Sequence, residues 1–322
     1  MWGAPPERPA RSRIVRRHMV ARECDEGKRM IPASALAADP PSLSSMLGTW
    51  VHDTKLLAES FANSGAVPHV VIDSFFSAPV AQALAAAFPD ADAAPWHVYA
   101  NPLEKKRACS DTSRMPDALR EAIFAMCGPG LVEAVRQITA LETTDELQAD
   151  PYCHGGGLHA HGYGDKLDLH LDYSLHPLSG LERRFNLIVY LPCTPDGGDW
   201  QVGYGGALEL RGADPADPSQ ARPGPPSASI LPLFNRAILF STTAPSFHGF
   251  PEPLTCPPGA ERRSLALYYL TPPRPDAPTR SKALYVAAPG EADSAELSRL
   301  RALRARRRLE PTDLSSSEAE TR

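Results

Sequence analysis

The chain has 322 residues, of which 43% are hydrophobic and 22% are charged, and its formal net charge is −5 at pH 7. These fractions are ordinary for a globular protein and allow a sizeable core. The mildly acidic charge without a central basic stripe argues against a nucleic-acid partner, and no apolar run reaches the roughly 20 residues that a membrane-spanning helix needs.

The first 43 residues are predicted to form a disordered basic tail, with arginines concentrated between Arg8 and Arg22. A solvated tail is the favoured interpretation of this stretch, and organelle targeting stays open. The six cysteines are scattered without a C-x-x-C pair, so we expect reduced thiols and a cytoplasmic location.

The predicted elements before residue 150 are mainly helices. Apolar residues at helical spacing predict a helix over 44–63, and a strand follows over 68–76. Ser77 is expected to cap a helix that has Pro79 in its first turn. Two more helices are predicted over 116–127 and 130–141. Residues 44–150 are thus expected to form the helical first part of one domain that spans 44–275.

After residue 150 the sequence predicts short strands, over residues 167–173, 185–191, 207–211, 228–231, 236–241 and 264–270. A proline-rich loop is predicted over 213–226. Helices followed by a run of short strands indicate an α+β domain whose core, over 151–275, is a β-sandwich or jelly roll. Residues 276–322 are predicted to be a C-terminal tail with a basic helix over 295–309.

A metal constellation stands out in the segment Leu167–Asp172, where leucine alternates with polar residues. In a strand, this alternation would place Asp168, His170 and Asp172 on one face. Three ionisable groups in a row are unfavourable in a core unless a metal binds them. His170 and Asp172 form the H-x-D part of a 2-His-1-carboxylate triad, which binds Fe(II) and leaves coordination positions open, and His248 is the candidate third ligand.

A second metal interpretation uses His154, His159 and His161 together with Cys153, in a glycine-rich segment. Zinc is conceivable there, although the spacing of these residues is irregular. Alternatively, His159 or His161 lines the mouth of the active site.

The chain resembles the Fe(II)/2-oxoglutarate oxygenases of the prolyl-4-hydroxylase-like group. The blocks that carry the resemblance are Asp168–Tyr173, Arg184–Leu191, Gly205–Leu210, Pro232–Phe240, Ser246–Gly249 and Arg262–Tyr269. The resemblance implies a double-stranded β-helix, a cupin-like jelly roll flanked by N-terminal helices. It also implies that His170, Asp172 and His248 are iron ligands.

The same resemblance assigns Arg262 to the distal carboxylate of 2-oxoglutarate, with Ser264 and Tyr190 as further contacts. If strand alternation holds, Arg263 points the opposite way. Two residues depart from the pattern: collagen-type prolyl hydroxylases usually have lysine where Arg262 stands, and Pro192 replaces the asparagine of the group's usual Y-L-N sequence. These departures leave the substrate class open.

The resemblance implies a dioxygenase that uses Fe(II), 2-oxoglutarate and O2, with L-ascorbate as reductant. It would hydroxylate an unidentified protein or small-molecule substrate and release succinate and CO2. Two alternatives stay open at this point: a catalytically silent jelly-roll binding module and a zinc-dependent hydrolase.

The segment from Trp96 to Arg107 has weak secondary-structure signals and mixes aromatic with basic residues. Loops displayed by a rigid scaffold often carry binding function. One hypothesis is that Trp96, Tyr99, Lys105 and Arg107 form part of a lid over the substrate, and the alternative is a solvated connector.

Overall fold

The computed structural model describes residues 43–243, 245–292 and 294–314. The predictions for the N-terminal tail, including its arginine-rich stretch and Cys24, and for the polar end from Ser315 to Glu318 lie outside the described residues. No helix among the described residues is long and apolar enough to cross a membrane.

The helices of the described part are α1 (Leu43–Met46), α2 (Thr54–Ala62), α3 (Ala78–Ala86), α4 (Asp117–Met126), α5 (Pro129–Thr139), α6 (Ala295–Arg304) and α7 (Pro311–Leu314), with short 3-10 helices at Thr49–His52, Thr112–Arg114 and Val202–Tyr204. Predicted helices 116–127 and 130–141 are confirmed as α4 and α5. The basic helix predicted over 295–309 is present but ends at Arg304.

The single helix predicted over 44–63 is wrong, because tertiary pairing interrupts it. Leu47 forms a β-bridge with Phe76, and the Gly48 amide donates to the Phe75 carbonyl oxygen at 2.8 Å. This extended backbone separates α1 from α2. Ser77 precedes α3 as predicted, but its hydroxyl donates to the Ser45 carbonyl oxygen instead of capping the helix.

The strands are β1 (His69–Ile72), β2 (His97–Asn101), β3 (Glu104–Cys109), β4 (Gln148–Ala149), β5 (Gly157–His161), β6 (Lys166–Leu171), β7 (Glu182–Tyr190), β8 (Leu208–Ala213), β9 (Pro223–Ile230), β10 (Arg236–Ser241), β11 (Phe247–Phe250), β12 (Arg262–Thr271) and β13 (Leu284–Tyr285). The predicted strand over 68–76 is shorter than expected, and β9 begins inside the predicted proline-rich loop.

The strands from β5 to β12 form two antiparallel groups, in the orders β10-β7-β12-β5 and β6-β11-β8-β9. Strands that follow one another in the chain therefore alternate between the two groups over most of this length. This interleaving is the topology of a jelly roll, so the predicted double-stranded β-helix is confirmed. The strand β3 pairs with both β5 and β6 and joins the two groups.

The two faces of the first group carry different cores. Leu187, Val189 and Leu265 pack outward, in the large cluster that includes the helices. Tyr190 and Phe240 point inward and pack with Leu208, Leu210 and other apolar side chains of the second group. This alternation of outward and inward side chains creates a barrel interior, and residues paired directly across the strands share that interior face.

The strands β5 and β11 are absent from the sequence prediction. The glycines around β5 and the shortness of β11 hide any periodic signal. Since β5 carries His159 and His161 and β11 carries His248, three of the histidines singled out from the sequence lie on strands that pattern analysis does not detect.

Candidate active site

His170, Asp172 and His248 converge in the structure, with one potential ligand atom from each lying within 4.8 Å of the others. His170 on β6 pairs directly with His248 on β11, and their ring centroids are 4.3 Å apart. Asp172 follows immediately after the end of β6. All three side chains are buried. The constellation predicted from the sequence is therefore brought together inside the barrel.

Asp168 was expected on the same face as His170 and Asp172, but its carboxylate is engaged elsewhere. It lies 2.7 Å from the Lys166 ammonium and 3.5 Å from the Arg301 guanidinium. His248 pairs with His170, but Phe250, two residues later on β11, pairs with Leu167, three residues earlier on β6. The extra residue on β6 is a β-bulge, and it interrupts the alternation of side-chain direction near Asp168.

The hydrogen bonds of the two histidines determine which ring nitrogens face the centre. Nδ1 of His170 lies 2.9 Å from the Asp168 carbonyl oxygen, and Nδ1 of His248 lies 2.9 Å from the Ser246 carbonyl oxygen. Because a carbonyl oxygen only accepts, each Nδ1 carries the proton. In the neutral ring, Nε2 then has a lone pair available for a metal ion.

The Nε2 atoms of His170 and His248 lie 4.0 and 3.6 Å from the Asp172 carboxylate. On that carboxylate, Oδ1 is 3.2 Å from the Arg183 guanidinium and accepts from the Tyr268 hydroxyl at 3.4 Å. The other oxygen, Oδ2, is buried and has no hydrogen-bond partner among the described residues. A buried carboxylate oxygen without a donor is unfavourable unless a cation binds it.

The protonation states of Asp172 and His170 also favour binding of a metal ion. Burial raises the pKa of Asp172, but Arg183, His248, His170 and the Tyr268 hydroxyl together outweigh burial, and the pKa lies below its ordinary value. Burial and the neighbouring His248 lower the pKa of His170 to about 3. At neutral pH the site therefore presents a carboxylate and a neutral imidazole. Two imidazoles and one carboxylate match the donor set of an open non-haem iron site, so the residues present fit Fe(II).

The sequence analysis missed Arg183. Its guanidinium lies 3.4 Å from the ring centroid of Tyr173 and 3.2 Å from that of Tyr268. It also donates to the His154 carbonyl oxygen at 2.7 Å. Nothing in the sequence indicates which of the adjacent residues Arg183 and Arg184 is buried against the Asp172 carboxylate.

Arg262 lies on β12 and is 3% exposed. Its Nε donates to the Gly206 carbonyl oxygen at 2.8 Å, and its Nη2 donates to the Tyr190 hydroxyl at 3.2 Å. Burial lowers its pKa and the neighbouring Tyr190 raises it, and Arg262 forms no ion pair with a carboxylate among the described residues. A buried cation without a counter-anion among the described residues is suited to binding an anionic ligand.

The glycine at 206 makes this contact possible. Its φ is +74°, and a Cβ there would lie 3.1 Å from the Arg262 Cδ and 2.6 Å from a Leu254 methyl carbon. A side chain at this position would therefore be strained in its backbone and would displace the arginine.

Strand pairing places the other predicted contacts on the face that carries Arg262. Ser264 pairs with Tyr190 on β7 and with His159 on β5, and Arg262 pairs with His161. Ser264, Tyr190 and His161 are buried. In contrast, Arg263 lies over the Phe88 ring, among the helices, and donates to Glu261. The predicted outward direction of Arg263 is confirmed.

His161 is buried, and neither ring nitrogen has a hydrogen-bond partner among the described residues. Burial holds its pKa well below the ordinary value, and burial lowers the pKa of His159 to about 3. Both neutral imidazoles lie on the interior face, whereas His154 stacks edge-on against Tyr173. Within the described residues, the ligand triad is the one group with metal-binding geometry, so the zinc cluster around Cys153 is not formed.

The segment predicted as a lid is a β-hairpin, made of β2 and β3, that joins the sheet beside β5 and β6. Arg107 forms an ion pair with Glu261 and lies over the Trp96 ring. The Lys105 side chain is 52% exposed. Arg107 is therefore engaged in the scaffold, while contact of Lys105 and Tyr99 with a substrate stays a prediction.

Comparison with known proteins gives a family match and distant structural similarities. Residues 156–270 match the model of the 2OG-Fe(II) oxygenase superfamily. This range contains the three candidate metal ligands and Arg262. No curated protein matches the chain in sequence.

Among solved structures, a prolyl-4-hydroxylase from Pseudomonas putida is 18% identical with a TM-score of 0.42, and the match covers 68% of this chain and 99% of that one. A prolyl hydroxylase from Trichoplax adhaerens, in complex with a hypoxia-inducible-factor peptide, is 14% identical with a TM-score of 0.43, covering 69% and 93%. HygX from Streptomyces hygroscopicus, solved with nickel, 2-oxoglutarate and hygromycin B, is 15% identical with a TM-score of 0.43, covering 66% and 86%.

Proposed function

We propose that this chain is a member of the 2OG-Fe(II) oxygenase superfamily, whose model matches residues 156–270, and that His170, Asp172 and His248 hold its iron. The observation that carries the proposal is the convergence of two Nε2 atoms on a buried carboxylate whose Oδ2 has no hydrogen-bond partner in the described part of the chain. The protein is a dioxygenase that uses Fe(II), 2-oxoglutarate and O2, and the residue assignment explains how its barrel holds them.

Arg262 is the proposed anchor for the distal carboxylate of 2-oxoglutarate. It is a buried cation with no carboxylate partner among the described residues, and a guanidinium pairs with a carboxylate through two parallel hydrogen bonds. The Tyr190 hydroxyl accepts from Arg262, so its own proton is available to the same ligand. Ser264 lies on the same interior face, opposite Tyr190.

The roles of this chain are binding, orientation and exclusion of water. When bound, the iron supplies the redox chemistry that couples decarboxylation of 2-oxoglutarate to hydroxylation of the substrate. The carbonyl oxygens of residues 168 and 246 orient the two imidazoles. Arg183 helps to keep Asp172 ionised and contacts Oδ1, which leaves Oδ2 available to a metal ion. The apolar walls around Leu208, Leu210 and Phe240 keep the interior dry.

The substrate, the reductant and the compartment are further parts of the proposal. The substrate is either a protein residue or a small molecule, and L-ascorbate is the proposed reductant. A cytoplasmic location is proposed from the cysteines, since Cys127, Cys193 and Cys256 form no disulfide among the described residues. Mass spectrometry of lysate peptides and metabolites for a gain of one oxygen atom would identify the substrate class.

Turnover of 2-oxoglutarate to succinate tests the assignment of the triad. The wild type should release succinate when Fe(II) and O2 are supplied, and Asp172→Ala should abolish this release by removing the anionic ligand. Asp168→Asn is the matched control, because Asp168 lies on the same strand but pairs with Lys166 and Arg301; it should weaken turnover without eliminating it. Turnover that survives Asp172→Ala and is lost in Asp168→Asn would show that the ligand assignment is wrong.

A further inference from the structure

The chain continues beyond the last barrel strand and returns to the iron site. We use the term C-terminal strap for residues 280–304, without Asp293. Within the strap, β13 pairs with the ligand-bearing strand β6, where Tyr285 lies opposite His170 and Leu284 opposite Leu171. The Val286 amide donates to the Leu169 carbonyl oxygen at 2.9 Å, which extends the pairing by one residue.

Tyr285 of the strap stacks on the first candidate ligand. Its ring centroid lies 5.1 Å from that of His170, with 23° between the two ring planes. Tyr285 is 3% exposed, so the stack is shielded from water. The His170 imidazole thus has His248 on one flank and Tyr285 on another, and the orientation of its ring is limited by packing as well as by its hydrogen bond.

Two arginines of the strap contact the same ligand segment. Arg280 Nε donates to the Asp172 backbone carbonyl oxygen at 3.2 Å. Arg301 lies 3.5 Å from the Asp168 carboxylate, and the carbonyl oxygen of Asp168 is the acceptor for His170 Nδ1. The strap therefore touches the backbone of one ligand and the residue that orients another.

The strap is anchored to the barrel through α6. Arg304 Nε donates to the Glu104 carboxylate at 2.9 Å, and Glu104, on β3, is 1% exposed. Leu300 of α6 is fully buried beside Leu103 and Tyr285. An ion pair at a buried carboxylate and an apolar contact hold α6 in place, and α6 in turn supports the position of β13.

We propose that the C-terminal strap positions the iron ligands, with Tyr285 as the positioning residue for the His170 imidazole. The inference rests on the proposed iron site and extends it, because the strap lies beyond the region that matches the family model. Two of the three ligands, His170 and Asp172, contact this segment directly, whereas the third, His248, packs against His170 and Phe240.

The test is the affinity of the apoprotein for Co(II), measured by titration without 2-oxoglutarate or turnover. Tyr285→Leu keeps apolar bulk but removes the flat ring, and it should weaken Co(II) binding about tenfold, as losses of supporting contacts around metal ligands do. Tyr285→Phe keeps the ring and should bind Co(II) nearly as the wild type does. Circular dichroism and the melting temperature of each variant report on folding.

A second pair of variants tests the strap independently of Tyr285. Arg280→Ala removes the bond to the Asp172 carbonyl oxygen and should weaken Co(II) binding by a smaller factor. Arg306→Ala, at an exposed arginine just after α6, is the matched control and should change nothing. If Tyr285→Leu does not fold, the Arg280→Ala and Arg306→Ala pair decides the question.

The outcomes separate the strap from the iron site itself. Folded Tyr285→Leu and Arg280→Ala variants with wild-type Co(II) affinity would overturn the inference, because a purely structural role lowers the melting temperature and leaves the affinity unchanged. If wild-type Co(II) binding does not depend on His170, the proposed iron site is wrong and the inference falls with it.

Discussion

Arg183 and Arg262 are both buried, at 1% and 3% exposed, yet their charges are matched differently. Arg183 has a carboxylate 3.2 Å away, on Asp172, and lies between the rings of Tyr173 and Tyr268. Arg262 has a carbonyl oxygen and a tyrosine hydroxyl as hydrogen-bond partners, and no carboxylate among the described residues acts on its pKa.

Arg183 binds a carboxylate of the protein itself, whereas Arg262 is proposed to bind a carboxylate of a ligand. Burial of a charge is tolerated when an opposite charge and hydrogen bonds compensate it. Arg183 meets that condition within the protein, whereas we propose that Arg262 meets it when an anionic ligand enters the barrel. The two arginines should therefore respond to substitution in different assays, one in metal affinity and the other in cosubstrate affinity.

The largest expected effect is at Arg262. Arg262→Ala should raise the KM for 2-oxoglutarate by about 30-fold or more, since loss of a buried charge-assisted pair is worth about 2–5 kcal/mol. Affinity for the metal alone should change little. Arg263→Ala is the matched control, because Arg263 points toward the helices and pairs with Glu261. A larger effect at Arg263 than at Arg262 would reverse the assignment of the strand faces.

The effect at Arg183 should be smaller and should appear in the other assay. Arg183→Met removes a charge that lowers the pKa of Asp172 and a contact that orients its carboxylate, and should weaken Co(II) or Fe(II) binding about 10–100-fold. Arg184→Met is the control, since Arg184 bonds to Thr271 instead of the triad. A rise in the KM for 2-oxoglutarate without loss of metal affinity would contradict the comparison.

The smallest effects are expected at the tyrosines beside each arginine. Tyr190→Phe removes the hydroxyl that accepts from Arg262, and should weaken 2-oxoglutarate binding by about 1 kcal/mol, or roughly fivefold. Tyr268→Phe removes a long hydrogen bond to Asp172 and should affect metal binding to a lesser degree. Both variants should be measured for metal affinity and for 2-oxoglutarate affinity. A Tyr190→Phe variant that changes only the metal affinity would contradict the assignment of Arg262 to the cosubstrate.

Two of the candidate ligands, His170 and Asp172, could be predicted because their signal is local, whereas His248 lies on β11, a strand without a periodic signal. The alternation from Leu167 to Asp172 implies a strand with two ligands on one face, and this holds for His170 and Asp172. It fails for Asp168, because the register shift between β6 and β11 is set by the partner strand and cannot be read from the alternation. The jelly roll was predicted from the order of helices and strands and from the resemblance.

Contacts that join distant parts of the chain could not be predicted in the same way. Arg183 and Asp172 are brought together by packing between separate strands. No periodic signal in the sequence indicates that Arg183, and not Arg184, contacts this carboxylate. Tyr285 lies 115 positions after His170, in a segment interpreted as a tail. The domain was predicted to end at residue 275. The segment after that residue adds β13 to the sheet.

The most direct test of the account is an anaerobic titration of the purified protein with Fe(II) and 2-oxoglutarate, followed by visible absorption. We expect a weak metal-to-ligand charge-transfer band for the wild type and no band for Asp172→Ala. For Arg262→Ala we expect a band that appears only at a much higher concentration of 2-oxoglutarate. A zinc hydrolase or a silent binding module would give no band. The absence of a band on iron-loaded wild type, or a full band on Asp172→Ala, would contradict the account.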